Sequence, residues 1–401
     1  MTTVPPGADR LIVCISDIEM GAGGVTDDFP HPVWLARLID GYDDVPVSVD
    51  FVFNGDTFDL LKTAMNDGSH PHHITHEVAC EKFGRIQAAH KPFFDAMARA
   101  LSRSDRRALF VLGNHDQDLL FPELQRDVTH RIGGRAEFPG FSVGIGDCWI
   151  EHGSQQDPLF RVDPDQPFVM VDGRRFLALP WAAVALLDVA IPLQPQLYHY
   201  DRLKPRDHVL DLLPELKDLL ANAYWEYWTR DSFDDWFGGG HDPIKKLDWY
   251  SFREIMYRFS SSDIDVHNEA DWLARMKADK RYRVFLLGHE HKPSWVAWGD
   301  RKVLRTGAFR NEYMVENDGL QQTPLPKVYA EIWQRDGQTI QSELVERACP
   351  PAPEGYVPST IYGALGAIRR LQRSAAHTAR VRAAREQQER QEKGGIWPWS
   401  S

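Results

Sequence analysis

The stretch Leu109-Phe-Val-Leu-Gly-Asn-His-Asp116 joins four apolar residues to a glycine and three polar residues with no spacer. The apolar run predicts a buried strand, and Gly113 marks the point at which this strand ends. Ligands of open α/β sheets bind beyond the carboxyl ends of the strands. The position of Asn114, His115 and Asp116 therefore predicts a site for ligand binding or proton transfer.

Four further predicted strands end in polar residues in the same manner. Each begins as an apolar run and ends in acidic or histidine residues, several of them next to glycine. Residues two apart in extended chain point the same way, so the paired residues at two of these ends share one side. The strands and their polar ends are 11–16 with Asp17 and Glu19, 49–53 with Asp56, 148–152 with His152, and 282–287 with His289 and His291.

The bulk composition limits the class of protein. The chain has 401 residues, 43% of them hydrophobic, which is enough for a sizeable core. Its formal net charge of −12 disfavours general nucleic-acid binding, because phosphate backbones require a basic surface. The four cysteines form no C-x-x-C pair and the chain starts with polar residues, so we expect reduced thiols and a cytoplasmic location. No uncharged apolar run reaches the roughly 18 residues that a transmembrane segment requires.

The side chains at the strand ends are all of types that bind metal ions. They offer carboxylate, amide and imidazole groups and no thiolate. Such donors favour Mn²⁺, Fe, Mg²⁺ or catalytic Zn²⁺ over a structural zinc site, with Ni²⁺ as a further candidate. The His-x-His pair suits a centre of two divalent ions.

Taken in order, these motifs resemble those of the calcineurin-like metallophosphoesterase superfamily. The resemblance implies an α/β fold of the α+β sandwich kind, in which two mixed β-sheets pack face to face and are flanked by helices. It also implies a metal-dependent phosphoester hydrolase, in which a hydroxide bridging two metal ions attacks phosphorus in line. The matching motifs are Asp17-x-Glu19, Gly55-Asp56, Gly113-Asn-His-Asp116, His152-Gly153 and Gly288-His-x-His291.

The resemblance further implies a role for each residue. His115 would stabilise the developing charge or protonate the leaving oxygen, and Asp116 would fix the ring of His115. The first metal would be held by Asp17, Glu19, Asp56 and His291, and the second by Asp56, Asn114, His152 and His289.

Glu19 departs from the family pattern, which usually has histidine at this position. A glutamate adds a negative charge and an oxygen donor. The substitution predicts either a harder metal preference, with Mn²⁺ or Mg²⁺ favoured, or a weakly occupied first site and low activity.

The substrate class follows from a second comparison of motifs. UDP-2,3-diacylglucosamine pyrophosphohydrolases resemble the chain at Phe58 and Asp59 but typically carry arginine in place of His115. We therefore favour a general phosphodiester or phosphomonoester hydrolase. That pyrophosphohydrolase and a protein phosphatase are alternatives, and a non-catalytic protein-binding scaffold on the same fold is the alternative from another class.

The motifs divide the chain into a core and two additions. The insertion after the fourth motif contains an apolar run and an aromatic block, which suit either packing or a pocket for a small phosphoester with an apolar leaving group. The last part is interpreted as a helix that packs on one apolar face or mediates partner or oligomer contacts. We expect a core of 1–153 and 282–348, a helical cap insertion of 154–281, and a Pro-rich linker with an Arg-rich helix over 349–401.

Overall fold

A computed structural model describes residues 3–226, 253–255, 257, 278–316, 319 and 321–373. The strands of this part of the chain are β1 Arg10–Ile15, β2 Ser48–Asn54, β3 Arg106–Val111, β4 Ala136–Gly140, β5 Ser142–Ile145, β6 Cys148–Glu151, β7 Phe168–Val171, β8 Arg174–Leu177, β9 Leu203–Lys204, β10 Val284–Leu287, β11 Ser294–Trp298, β12 Arg301–Arg305, β13 Tyr313–Val315, β14 Gln322–Pro324, β15 Lys327–Arg335 and β16 Gln338–Arg347. The α-helices are α1 Pro32–Asp40, α2 His76–Ala89, α3 Lys91–Leu101, α4 Pro122–Ile132, α5 Trp181–Ala185, α6 Ile191–Asp201, α7 Arg206–Leu212 and α8 Pro214–Glu226.

Two mixed sheets form the centre of the molecule. The first has the strand order β16-β15-β1-β2-β3-β4, and the second has the order β11-β12-β10-β6-β5. In the first sheet β1 to β4 run parallel, while β15 is antiparallel to both of its neighbours. In the second sheet, β10 is parallel to β6 and β12. The edge strands β11 and β5 are antiparallel to their neighbours, β12 and β6.

The two sheets pack face to face through one apolar layer. Ile12 and Cys14 of β1 share a buried cluster with Ile150 of β6 and Leu286 of β10. The alternate residues of β1, such as Val13, belong to a second cluster on the helical side of the sheet. Because both faces of β1 are buried, the strand is apolar throughout. The expected α/β sandwich of two mixed sheets flanked by helices is confirmed.

The segment between β2 and β3 contains two consecutive helices, α2 and α3. α2 begins after Thr75, whose side-chain oxygen accepts a hydrogen bond from the amide of Val78. It ends at Ala89, and after His90 the helix α3 starts with Pro92 in its first turn. Proline disfavours a helical residue before it and has no amide hydrogen to donate, so it fits the start of a helix and not its middle.

The insertion expected as a helical cap also contains strands. β7 and β8 form a hairpin, and β9 pairs in parallel with β13. The apolar run over residues 176–191 breaks at Pro180, after which α5, a turn of π-helix at Leu186–Ala190 and α6 follow without interruption. Leu177, Ala183 and Leu187 join the same buried cluster as the helices of the core. Among the helices of the described residues, none has the length and hydrophobicity of a membrane span.

The described end of the chain packs on the insertion. Residues 361–373 are helical, and the buried Ile361 and Ile368 share a cluster with Leu203 and Tyr313. The helix therefore contacts its surroundings through one apolar face. The arginines from 380 to 385 and most of the aromatic block lie outside the described residues.

Candidate metal and catalytic site

The polar strand ends come together where the carboxyl ends of β1, β2, β3, β6 and β10 meet. Backbone hydrogen bonds tie these ends to one another. The amide of Asp17 donates to the carbonyl of Gly55 at 3.1 Å, and the amide of Gly288 donates to the carbonyl of His152 at 2.8 Å. Loops from both sheets thus form a single site.

The glycines of the motifs are needed because ligand side chains pack directly on their backbone. A methyl group on Gly113 would lie 2.1 Å from Oδ1 of Asp56, and one on Gly55 would lie 2.3 Å from the ring of His152. A methyl group on Gly288 would lie 1.9 Å from Oγ of Ser16. Glycine is therefore required at these strand ends for steric reasons.

Most of the predicted ligands adopt a left-handed backbone conformation. For residues other than glycine this conformation costs about 1–3 kcal/mol each and is concentrated at functional sites. Tight turns after the strands impose it, and they direct the side chains inward. Of the seven non-glycine residues with positive φ in the described chain, five are predicted ligands: Asp17 (φ 54°), Glu19 (51°), Asp56 (51°), His289 (69°) and His291 (56°).

One half of the site has the geometry and chemistry of a cation-binding centre. Ligand atoms of Asp17, Asp56 and His152 all lie within 4.8 Å of one another, and the three residues are buried. Nε2 of His152 lies 3.2 Å from Oδ2 of Asp56 and 3.9 Å from Oδ1 of Asp17. The other ring nitrogen, Nδ1, lies 2.9 Å from the carbonyl of Asn54 and donates to it, so Nε2 is the ring nitrogen that could bind a cation after losing its proton.

Three atoms of this half have no hydrogen-bond partner although they are buried. They are Oδ1 of Asp17, Oδ1 of Asn114 and Nε2 of His152. Buried polar atoms are normally paired, and an unpaired one requires an explanation such as a bound ion. An imidazole, an amide oxygen and two carboxylates form a suitable donor set for Mn²⁺ or Zn²⁺, so the residues present fit a divalent ion here.

The electrostatics of this half favour bound positive charge. Burial lowers the pKa of His152, but the carboxylates of Asp56 and Asp17 outweigh this effect and raise the pKa to about 10. Burial raises the pKa of Asp56, yet the neighbouring His152 and His115 bring it below its usual range. The carboxylate of Asp56 is thus charged at neutral pH, and a metal ion would replace the proton that is attracted to His152.

The His-x-His motif divides between the two halves of the site. The ring of His289 lies 5.3 Å from that of His152, at the edge of the cation-binding half. His291 points the other way. Its Nδ1 lies 2.8 Å from the carboxylate of Glu312, and its Nε2 lies 3.3 Å from Oδ1 of Asp17 and 3.5 Å from Oε1 of Glu19.

The half of the site around Glu19 is different, because its carboxylate is already paired. Nη1 of Arg310 donates to both oxygens of Glu19, at 3.0 and 2.8 Å, and Nζ of Lys62 donates to Oε2 at 2.7 Å. Burial raises the pKa of Glu19, but Arg310 and Lys62 hold it well below its usual range. Ligand atoms of Glu19, Asp59 and His115 lie within 4.8 Å of one another on this side. However, Nζ of Lys62 lies 2.7 Å from Glu19 and 3.1 Å from Asp59, and Nδ1 of His115 lies 2.9 Å from Asp59, so these atoms are already engaged. This half does not fit a second metal ion.

His115 is oriented by Asp59 and not by Asp116. Nδ1 of His115 lies 2.9 Å from Oδ1 of Asp59 and donates to it. Burial lowers the pKa of His115, but the negative charges of Asp56, Glu19 and Asp59 raise it to about 9. His115 is therefore an imidazolium at neutral pH, with the proton on Nε2 available for transfer.

The expectation that Asp116 fixes the ring of His115 is wrong. Asp116 is fully buried and accepts hydrogen bonds from the amides of Gly113, at 2.7 Å, and Thr57, at 2.8 Å. It ties together the loops after β2 and β3. Burial and the charge of Asp56 raise the pKa of its carboxyl to about 7. The family resemblance implied this contact, but both oxygens of the Asp116 carboxylate are taken by backbone amides.

Sequence reasoning missed Lys62, Arg310 and Asp201. Arg310 follows β12 by five residues, and its amide donates to the carbonyl of Asp17 at 2.9 Å. The sequence signal that could have located Arg310 is its position shortly after a strand that is followed by Thr306-Gly307. Asp201, at the end of α6, bonds Nη2 of Arg310 at 2.5 Å, so the insertion contributes a side chain to the site.

The histidine-rich loop over residues 70–76 packs at the site's periphery. Nε2 of His72 lies 2.6 Å from Oδ1 of Asp188 in the insertion, and Nε2 of His70 lies 3.1 Å from the carbonyl of Lys62. The loop thus connects core and insertion, and its histidines form no cluster of metal ligands among the described residues.

Comparisons with known proteins give matches among solved structures alone. No family model matches the chain, and no curated protein matches it. Similar solved structures include a novel archaeal phosphodiesterase, with 9% identity, 84% of this chain and 99% of that chain covered, and a TM-score of 0.28. A predicted phosphoesterase from Streptococcus pneumoniae gives 10% identity, coverages of 84% and 97%, and a TM-score of 0.25. Vps29 from Entamoeba histolytica, complexed with zinc, is 10% identical, and the match covers 84% of this chain and 98% of that chain with a TM-score of 0.24.

Matches with TM-scores this low carry no argument about fold or function. The structure itself has two mixed sheets that pack face to face, with a site at the carboxyl ends of their strands. This is the architecture that the resemblance of the motifs implied.

Proposed function

We propose that the protein is a metal-dependent phosphoester hydrolase. The observation that supports this most directly is the set of buried, unpartnered ligand atoms on Asp17, Asn114 and His152, next to the carboxylate of Asp56. Asp17, Asp56, Asn114 and His152 would hold a divalent ion, and His289 lies close enough to complete the set. When bound, such an ion supplies Lewis-acid charge for a phosphoryl oxygen and lowers the pKa of a coordinated water.

His115 is the proposed general acid. Asp59 holds its Nδ1 proton, which fixes the ring and leaves the Nε2 proton for the departing oxygen of the substrate. The neighbouring carboxylates keep the ring charged, so it also counters negative charge that develops on the phosphoryl group. Positioning this group beside the bound ester is the main contribution of the chain itself.

Mn²⁺ remains the preferred ion, and phosphodiesters remain the preferred substrates over phosphomonoesters. The site residues support a small-molecule phosphoester, and the cytoplasmic location remains a prediction. The proposed ion lies in the half around His152. A centre of two ions would also need a second ion in the half around Glu19.

Hydrolysis of bis-p-nitrophenyl phosphate and p-nitrophenyl phosphate tests the proposal. The metal-free protein would be assayed with Mn²⁺, Mg²⁺, Zn²⁺, Ni²⁺ and Fe²⁺ in turn, with bound metal measured in parallel. We expect turnover that depends on added metal and is lost, together with metal binding, in Asp56→Asn. The exposed Asp300→Asn is the matched control and should leave both unchanged.

Metal bound at the site without turnover of either ester would contradict the proposal. The non-catalytic scaffold would then be the better interpretation. A strong preference for the monoester would retain the class of enzyme and change the substrate from a diester to a monoester.

A further inference from the structure

We propose that Lys62 and Arg310 take the place of the metal ion on the Glu19 side, so that the centre binds one ion per chain. This inference rests on the proposed function, because it concerns the same site. It is based on the contacts of the two cations, the spacing of the carboxylates around them and the ion pairs of the buried network.

The ammonium of Lys62 occupies the position that a cation would take among the carboxylates. Its Nζ lies 2.7 Å from Glu19, 2.7 Å from Asp28 and 3.1 Å from Asp59. The contacts to Glu19 and Asp28 are hydrogen bonds, the contact to Asp59 is an ion pair, and a fourth carboxylate, that of Asp201, lies 3.6 Å away. The side chain of Lys62 is 11% exposed, so little water shares these oxygens.

Arg310 neutralises the same carboxylates from the other side. Besides Glu19, its guanidinium contacts Asp28 at 3.1 Å and Asp201 at 2.5 Å, and its side chain is 3% exposed. Its backbone is fixed by the hydrogen bond of its amide to the carbonyl of Asp17. A buried guanidinium with several carboxylate partners is costly to displace, because the charges left behind would be unpaired.

Each carboxylate of the network, on Glu19, Asp28, Asp59 and Asp201, already has a cationic partner without a metal ion. Asp28 has a further partner in Arg202, whose Nε lies 2.6 Å from Oδ1. A divalent ion bound by Glu19 would lie next to both Lys62 and Arg310 in a buried environment, where repulsion between like charges is strong. On the His152 side, by contrast, Asp17 and Asp56 face an imidazole with an unpartnered nitrogen.

These contacts give a physical reason for glutamate instead of histidine at position 19. A neutral histidine would leave Lys62 and Arg310 with one fewer anion and would repel them when protonated. Glu19 instead fixes both cations beside the cation-binding half. Its role is that of a positioning residue, which places permanent positive charge where the family resemblance implied an ion.

Metal stoichiometry of the full chain tests this inference. The protein would be stripped with a chelator, loaded with excess Mn²⁺ and freed of unbound ion. Bound manganese would be measured by mass spectrometry, and its environment by electron paramagnetic resonance. We expect one Mn²⁺ per chain and the signal of an isolated ion. Two Mn²⁺ per chain with an exchange-coupled signal would overturn the inference.

The variant Lys62→Met provides a second measurement. It removes the ammonium and leaves Glu19, Asp28 and Asp59 without it, so the manganese content of the folded variant should rise from one toward two ions. Lys217→Met, an exposed change on α8, is the matched control and should still bind one ion. A folded Lys62→Met protein that still binds one ion would contradict the claim. If the variant does not fold, the stoichiometry of the unchanged chain decides.

Failure of this inference and failure of the proposed function are separable. Two bound ions with metal-dependent hydrolysis would overturn the inference and retain the hydrolase. One bound ion without hydrolysis would overturn the hydrolase and retain the ion count. Binding of no ion would overturn both.

Discussion

His115 shows how the site controls one proton at the scale of a residue. Its side chain is 13% exposed, and Asp59 holds its Nδ1. Three carboxylates, those of Asp56, Glu19 and Asp59, keep it protonated to about pH 9 despite its burial. A general acid must carry its proton when the substrate binds, and this environment secures that condition at neutral pH.

Replacing His115 by alanine should lower kcat by roughly 10²–10⁴-fold, the usual contribution of a general acid. The bound metal should be unchanged, because the proposed ligands lie on other residues. Steady-state kinetics with parallel metal analysis measures both quantities. His130→Ala, an exposed change on α4, is the control. Turnover equal to that of the unchanged protein, with metal still bound, would contradict the role of His115.

Asp59→Asn should lower kcat by at least about tenfold and shift its pH dependence. Asp59 is one of the charges that raise the pKa of His115. Without it the pKa falls, so the imidazolium is lost at a lower pH and the alkaline limb of the kcat profile moves toward acid. Asp67→Asn, in an exposed loop, should leave the profile in place. A profile that is unchanged in Asp59→Asn would assign the ring to another partner.

At the scale of the element, the site depends on how each strand ends. The strands bring polar residues to one edge, and glycines allow the side chains of neighbouring loops to lie against the backbone. Left-handed turns after the strands then point the ligands inward. The strain of these turns is offset by the buried hydrogen bonds that link one loop to the next.

Gly113→Ala should abolish tight metal binding and destabilise the protein by on the order of 1–3 kcal/mol, the usual cost of overpacking a buried position. The added methyl group would lie 2.1 Å from Oδ1 of Asp56, so one of the two must move. Gly84→Ala is the matched control, because nothing lies within 4 Å of the new methyl group and the position is on the helix α2. Calorimetric titration with Mn²⁺ and thermal unfolding measure the two effects. Normal Mn²⁺ affinity in Gly113→Ala would contradict the arrangement.

The strand ends could be predicted from sequence because they obey local rules. A buried parallel strand is a short apolar run, and its carboxyl end in this class of fold carries the functional residues. Residues outside such runs could not be placed. Lys62 lies in a loop and Asp201 ends a helix of the insertion, and their meeting with Arg310 depends on packing between distant parts of the chain. The role implied for Asp116 by the resemblance was wrong, because its carboxylate binds backbone amides and Asp59 holds the ring of His115 instead.

At the scale of the whole molecule, core, insertion and terminal helix depend on one another. β9 of the insertion pairs with β13, and the helix over residues 361–373 packs on α6 and α7 through a common cluster. The fold of the insertion could not be predicted in detail, because its strands are short and pair with distant segments. The sequence therefore indicated helices and missed the hairpin of β7 and β8.

Ile368→Ala should destabilise the molecule by about 2–5 kcal/mol, the usual cost of truncating a buried isoleucine. Ile368 is fully buried in the cluster between the terminal helix and the insertion. The exposed Ile340→Ala, on the edge strand β16, is the control and should change Tm little. Thermal unfolding followed by circular dichroism gives both values. An unchanged Tm in Ile368→Ala would show that the terminal helix contributes nothing to the stability of the fold.

The central claim is a metal site at the carboxyl ends of the strands, in the half around His152. The most direct test is a crystal of the full chain grown with Mn²⁺, with an anomalous difference map recorded at the manganese edge. The account predicts a peak at bonding distance from Asp17, Asp56, Asn114 and His152. A map with no peak among these four side chains, at saturating Mn²⁺, would contradict it.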